Sequence, residues 1–362
     1  MVLGKNSIVS TKVTKNLSSE NRVIKNIKQL LSNPFGQFFV LGIVLIILSL
    51  LSQTGILPRT LTTALASVVV YAIIAIGFCL LLGYSGLASL GTAGFAGIGA
   101  YSAFYAMQEL GMSFLTALLL SIGIALVIGI IVGFISLRIE GLYLGILTLG
   151  LAEILFEVFL LINEMPMISR RNITFFFMEL NEQAVFIVIV VMFVALLILT
   201  HNLINSPTGR AMLAMKNSTS AAQAMGISLL KYRLLAFVIS TIYASIGGML
   251  YIMLTTAIST SSSTFLALSM SLNILGAVIV GGHKSLWGTS LGVVLIFGLQ
   301  SIFFINIPFF QEHPEFMNIV SGALIVIVVM FYPGGLAQLY LELKLKIKGL
   351  IAKRRAKKYG TY

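Results

Sequence analysis

Residues Phe114 to Ile135 read FLTALLLSIGIALVIGIIVGFI, 22 consecutive positions without a charged side chain. An α-helix needs roughly 20 such residues to cross the hydrocarbon core of a bilayer, so this stretch alone names the solvent. Val40 to Leu51, Ser67 to Leu82, Val185 to Leu199 and Leu234 to Leu254 have the same character. The runs are continuous rather than alternating, which predicts helices and excludes the closed barrel, the other architecture that satisfies its own backbone in lipid. The expected fold class is all-α, a polytopic transmembrane helix bundle.

Composition agrees: 58% of residues are hydrophobic and 9% charged, against about 25% charged in soluble domains. The net charge of +12 would suit nucleic acid, but its placement argues for the membrane. One basic cluster, Lys5, Lys12, Lys15, Arg22, Lys25 and Lys28, precedes the first apolar run. The other, Lys344, Lys346, Lys348, Lys353, Arg354, Arg355, Lys357 and Lys358, follows the last. Each basic residue so placed gains about 1 kcal/mol from an anionic leaflet, so membrane lipids are the expected partner and nucleic acid is not. The single cysteine, Cys79, lies in an apolar run and permits no intrachain disulfide. A long basic leader with no small-residue cleavage site predicts that the first span stays attached.

Ten crossings are expected, at about 37–53, 60–82, 87–108, 113–136, 141–162, 184–200, 234–256, 265–282, 288–306 and 316–332. With the N-terminus inside, the inner loops hold Arg138, then Arg210, Lys216, Lys231 and Arg233, then Lys284 and the basic tail. The outer loops collect Glu109, Glu164, Glu179, Glu182, Glu312 and Glu315, with Arg59, Arg170 and Arg171 as exceptions. Lysine and arginine concentrate on the cytoplasmic side of membrane proteins, so both termini are expected there. The chain divides into a basic N-terminal segment 1–36, a transmembrane unit 37–335 with a cytoplasmic loop 201–233, and a basic tail 336–362. Helical periodicity at Leu17, Val23, Ile24, Ile27, Leu30 and Leu31, and again at Leu336, Leu339, Leu343, Ile347 and Leu350, predicts an interfacial helix at each end.

The loop between the sixth and seventh spans is the longest internal one. Ser206-Pro207-Thr208-Gly209 followed by Arg210 to Met215, then Ser220 to Met225 ending at Gly226, predicts two short helices, the second stopped by its glycine. Short helices lying on a membrane surface suit the docking of a cytoplasmic partner, and a solvated connector would read similarly.

Four collinear blocks make the reading specific. They are GYSGLASLGTAGFAGIGAY from Gly83, RIEGLYLGILTLGLAEIL from Arg138, TGRAMLAMKNSTSAAQAMGISLLKYRLLAFVIS from Thr208 and GGHKSLWGTSLG from Gly281. In order and spacing they resemble the branched-chain amino acid permease family of ABC importers over roughly residues 60 to 336. The resemblance implies a type II ABC importer permease in a prokaryotic inner or plasma membrane. It would pair with a second homologous permease subunit, two cytoplasmic ATPase subunits and an extracytoplasmic solute-binding protein. It also implies that Gly209 to Tyr232 include the ATPase-coupling helix, with Gly209, Arg210, Ala221, Ala222, Met225 and Gly226 as its coupling residues. The family often carries acidic residues where this chain has Asn217, Ser218, Thr219 and Gln223. Docking is then expected to rest on apolar contact through Ala221, Ala222, Met225 and Ile227.

The chain itself is expected to bind no cofactor. A phosphate loop needs a second glycine before its lysine, and Gly281-Gly282-His283-Lys284-Ser285 has a histidine there, so ATP and Mg belong to the partner.

Glycines at 83, 86, 91, 94, 97 and 99 permit close helix packing or a broken helix lining a path; packing is favoured at Gly97 and Gly99, and both readings stay open for Gly83 to Gly91. Glu153 and Glu157, four apart on one helix face, would each cost about 2.5 to 3.5 kcal/mol facing lipid at the bilayer centre, so they are expected to point inward. They would form a polar wall of the path or bond a neighbouring helix. Glu153 matches a family element; Phe156 stands where relatives commonly have Arg, and Thr92 where many have His. The candidate path residues are Tyr84, Ser85, Ser89, Thr92, Tyr101, Thr148 and Glu153.

Two readings of other classes remain. Gly83-Tyr84-Ser85-Gly86 has the form seen in intramembrane serine proteases, with His283 as a base. A secondary carrier could use glycine-broken helices and Glu153 for proton coupling. The expected substrate of a permease is a branched-chain or other hydrophobic amino acid, with urea or short amides as the alternative.

Overall fold

The computed structural model describes residues 33–53, 58–136, 142–161, 174–175, 178–179, 181–255, 265–304, 307–313, 315–332, 334–339, 342 and 345. The expected N-terminal interfacial helix lies outside them, as does most of the C-terminal one, of which residues 335–339 are helical.

The chain is a helix bundle. Its spans are α1 (Pro34–Gln53), α2 (Arg59–Leu80), α3 (Thr92–Phe104), α4 (Phe114–Ser136), α5 (Leu142–Leu161) and α6 (Glu182–Asn205). Two short helices follow, α7 (Pro207–Asn217) and α8 (Thr219–Ala224). Then come α9 (Leu229–Thr255), α10 (Leu268–Gly281), α11 (Leu286–Val293), α12 (Pro308–Glu312) and α13 (Glu315–Phe331). Wider π-turns extend α2 over Leu81–Ser85, α3 over Tyr105–Glu109 and α11 over Val294–Phe303. Among the described residues, seven helical stretches are long and apolar enough to cross a membrane. Helices α3, α10 and α13 occupy three further expected ranges, of which α10 and α13 are shorter.

Two expectations of helix boundaries need correction. The third span was expected to begin near residue 87, yet residues 86–91 are non-helical and α3 starts at Thr92. Helix α6 runs on to Asn205 and α9 starts at Leu229, because polar residues at the ends of the apolar runs continue the helices. A short antiparallel hairpin, β1 (Thr174–Phe175) with β2 (Met178–Glu179), lies between α5 and α6, and the fold class is all-α as expected.

Burial sorts the helices into layers. The most apolar 18-residue windows are 83% buried in the α2 span and 72% in α9, but only 28% in both α4 and α5. The centre is dense because glycines let backbones touch. A Cβ at Gly99 would collide with the Ser245 backbone, and one at Gly248 with the Ala96 carbonyl. Gly97 seats the Phe159 ring in the same way. Packing is thus the role of Gly97 and Gly99, the geometry small residues give membrane helices.

Candidate functional site

The interrupted helix forms the first site. At the end of α2 the chain turns at Gly86, whose φ of +75° is readily adopted only by glycine. A terminating helix leaves its last carbonyls without intrahelical donors. Leu81 O accepts from Leu87 N (3.2 Å) and from Ser85 Oγ (2.6 Å). The carbonyls of Leu82 and Gly83 accept instead from Lys216 Nζ, at 3.2 and 2.8 Å. On the far side Gly83 is so close to the His283 carbonyl that a Cβ would overlap it, and Tyr84 Oη donates to Lys284 O (3.3 Å). Burial, together with the positive charge of Lys284, lowers the pKa of Lys216 below the usual lysine value.

Polar side chains fix the outgoing half of the break. Leu90 N–H donates to Thr148 Oγ1 (2.9 Å) on α5, and Ala93 N–H donates to Ser271 Oγ (2.9 Å) on α10. Ser89 and Thr92 are buried and border a cavity of about 10 Å³ shared with Ser240 and Thr241 of α9, room for about one water molecule. Tyr101 stacks on Phe159 (4.5 Å between centroids) and donates its hydroxyl to Phe159 O (3.2 Å). The structure therefore brings Tyr84, Ser85, Ser89, Thr92 and Thr148 together around the break, while Tyr101 ties α3 to α5 further along. Gly83 and Tyr84 are the residues that meet the His283–Lys284 turn, and the Ser85 hydroxyl of the protease reading hydrogen-bonds within its own turn.

The second site is the α7–α8 lobe. Ser206 caps α7, with Pro207 in its first turn, and Ser218 caps α8, accepting from Ala221 N–H (3.3 Å). After α8, Gly226 N–H donates to Gln223 O (2.9 Å) and Ile227 N–H to Ala222 O (3.0 Å), a Schellman closure with Gly226 at φ +77°. Gly209 is buried against the carbonyls of Ile204 and Leu203, and Arg210 Nη1 donates to Asn205 O (2.9 Å), so both bind the lobe to α6. Ala221, Gln223 and Ala224 are exposed, and Met225 is 83% exposed. Ala222, expected among the docking contacts, is buried against the chain itself.

The third site is the outer face of α5. Glu153 and Glu157 were expected to point inward; both are exposed, on a stripe with Tyr143, Ile146, Ile154 and Leu161. The opposite face, with Leu144, Thr148, Ala152 and Phe159, is the one the bundle covers. The inward face was already taken by α3, whose glycines admit Leu155 and Phe159. Among the described residues neither carboxylate has a hydrogen bond or ion pair. Glu153 is the twelfth residue of α5, about 16 Å along the axis of a helix long enough to span a membrane.

Residues 60–329 match the family described as "Branched-chain amino acid transport system / permease component". The chain belongs to this family. The permease is 28% identical over 308 residues to the high-affinity branched-chain amino acid transport system permease protein LivM of Salmonella typhimurium, covering 76% of this chain and 70% of that one. It is 28% identical over 309 residues to LivM of Escherichia coli, with the same coverage. A probable LivM of Methanocaldococcus jannaschii is 27% identical over 236 residues, 60% of this chain and 68% of that one. No solved structure matches. The protein is thus a multi-pass transmembrane permease subunit of an ABC transporter, a transport component by family.

Sequence reasoning missed Lys216, Ser271, Ser240 and Thr241. Their residue types carry no signal, since Lys216 and Ser271 bond backbone 133 and 178 positions away, and Ser240 and Thr241 meet Ser89 and Thr92 only around the folded cavity.

Proposed function

We propose that the permease moves branched-chain or other hydrophobic amino acids inward by alternating access, driven by separate ATPase subunits that grip the α7–α8 lobe. One observation carries the reading. The lobe displays an exposed apolar knob at Met225 and is bonded, through Lys216, to the interrupted end of α2. ATP and Mg are held by the ATPase chains, and a loaded solute-binding protein docks at the opposite end. The transmembrane unit 37–335 is the permease domain in this scheme, with loop 201–233 on the cytoplasmic side, both termini cytoplasmic and the chain in the inner membrane.

In this reading the translocation path runs between the bundle and a second permease subunit. The α5 face supplies a wall for it. The exposed faces of α1 and α4, including Ile43, Val44, Val127 and Ile131, carry no charge among the described residues and suit lipid, whereas α5 exposes two carboxylates. Charged groups there face a partner or a watery cavity. A second permease subunit covers this face, and Glu153 borders the path between the two.

Reconstitution in liposomes tests the reading. Uptake of leucine, isoleucine or valine is expected only when the ATPase, ATP and the binding protein are all present. Uptake without the ATPase would favour a secondary carrier. Uptake of urea or short amides in place of amino acids would overturn the substrate class alone.

A further inference from the structure

We propose that Lys216 is a positioning residue for transport, the link that transmits motion of the α7–α8 lobe to the break in α2. This inference rests on the reading that the ATPase engages the lobe, and names the contact by which that motion enters the spans.

The argument begins with the carbonyls. Helix α2 ends inside the protein, where carbonyls lacking donors are costly. The chain's own backbone and Ser85 satisfy Leu81 O, but Leu82 O and Gly83 O depend on an ammonium 133 or 134 residues away in sequence. Hydrogen bonds from a charged donor are the strong ones. The lysine stem also lies along Gly86, where a Cβ would come 3.2 Å from Lys216 Cγ. The same side chain thus covers the left-handed turn and holds the carbonyls preceding it.

The lobe meets the spans at three places, one of them the packing of α7 and α8 on α9. Arg210 and Gly209 seat α7 on the end of α6, the helix from which the lobe emerges. Lys216 instead reaches across to α2, the most buried span. The turn it holds continues through Ser89 to Thr92, whose neighbours on α5 and α10 are bonded through Thr148 and Ser271. A displacement of α7 therefore reaches the carbonyls at the break directly through the Lys216 ammonium, beside the packing of α7, with its buried Met212 and Met215, on α9. Without that ammonium, the carbonyls of Leu82 and Gly83 lose their donor from the lobe.

The experiment uses the assembled transporter in liposomes and reads substrate imported per ATP hydrolysed. Lys216→Met is expected to assemble and hydrolyse ATP while this ratio falls about tenfold or more, the loss expected for charged hydrogen bonds. Lys216→Arg keeps a cationic donor and is expected to recover most of the ratio. A normal ratio in Lys216→Met overturns the proposal, as does a parallel loss of hydrolysis and uptake that leaves the ratio unchanged. Should the methionine variant fail to reach the membrane, Lys216→Gln decides: a lowered ratio supports the link and a normal one overturns it. A Met225→Lys control separates the docking reading. If the ATPase still co-purifies with that variant, the docking surface is misassigned, whatever Lys216 shows.

Discussion

Lys216 Nζ lies 2.8 Å from Gly83 O, and the opposite side of Gly83 abuts the His283 carbonyl. Three segments far apart in sequence converge on one glycine at the end of the central helix. The end of α2 is therefore held from both sides and has no space for a larger residue.

Gly83→Ala tests that confinement. Its methyl would overlap the His283 carbonyl oxygen, so the α10–α11 turn must shift. A loss of about 1 to 3 kcal/mol is expected from overpacking, read as a lower Tm of the detergent-purified protein. An unchanged Tm would mean that the turn yields freely.

Gly226→Val addresses the lobe. The site has open space for a side chain, but its φ of +77° strains a β-branched residue by about 1 to 3 kcal/mol and loosens the Schellman closure. Insertion into the membrane is expected to remain normal while ATP hydrolysis no longer supports uptake. Gly226→Ala, less strained, is expected to fall between. Wild-type uptake in the valine variant would count against the coupling role of α8.

The α5 face predicts a cross-linking pattern. Cysteine at Glu157 is expected to cross-link to a second permease subunit, whereas cysteine at Val127 on the apolar face of α4 is not. Glu153→Gln is expected to leave assembly intact and change uptake. Strong labelling of the Glu157 cysteine by a lipid-soluble probe, without cross-linking, would place α5 against lipid instead.

His283 gives a pH dependence. Burial, then the charges of Lys216 and Lys284, hold its pKa below the ordinary 6.5. In the window just below pH 6.5 the unfolded chain binds more protons than the folded one, so stability falls as pH drops through it. His283→Gln should flatten this slope in Tm measured from pH 7.5 to 5.5, and an unaltered slope would assign it to other groups.

Reading the chain alone settles whatever depends on local composition. The solvent, the helical class and the positions of most spans follow from continuous apolar runs, since lipid forces each segment to satisfy its own backbone. The two short helices of the loop and the stop at Gly226 were legible because caps act within four or five residues. Tertiary structure alone decided where side chains point and what they reach. Apolar positions surround α5, so its periodicity could not show that Glu153 and Glu157 face outward; that choice was made by α3, whose glycines drew in the opposite face. Likewise Ala222 resembles Ala221 in sequence, yet only one is exposed. The partnership of Lys216 with Gly83 is a contact across the fold, and a lysine's reach is invisible until the helices that carry its acceptors are in place.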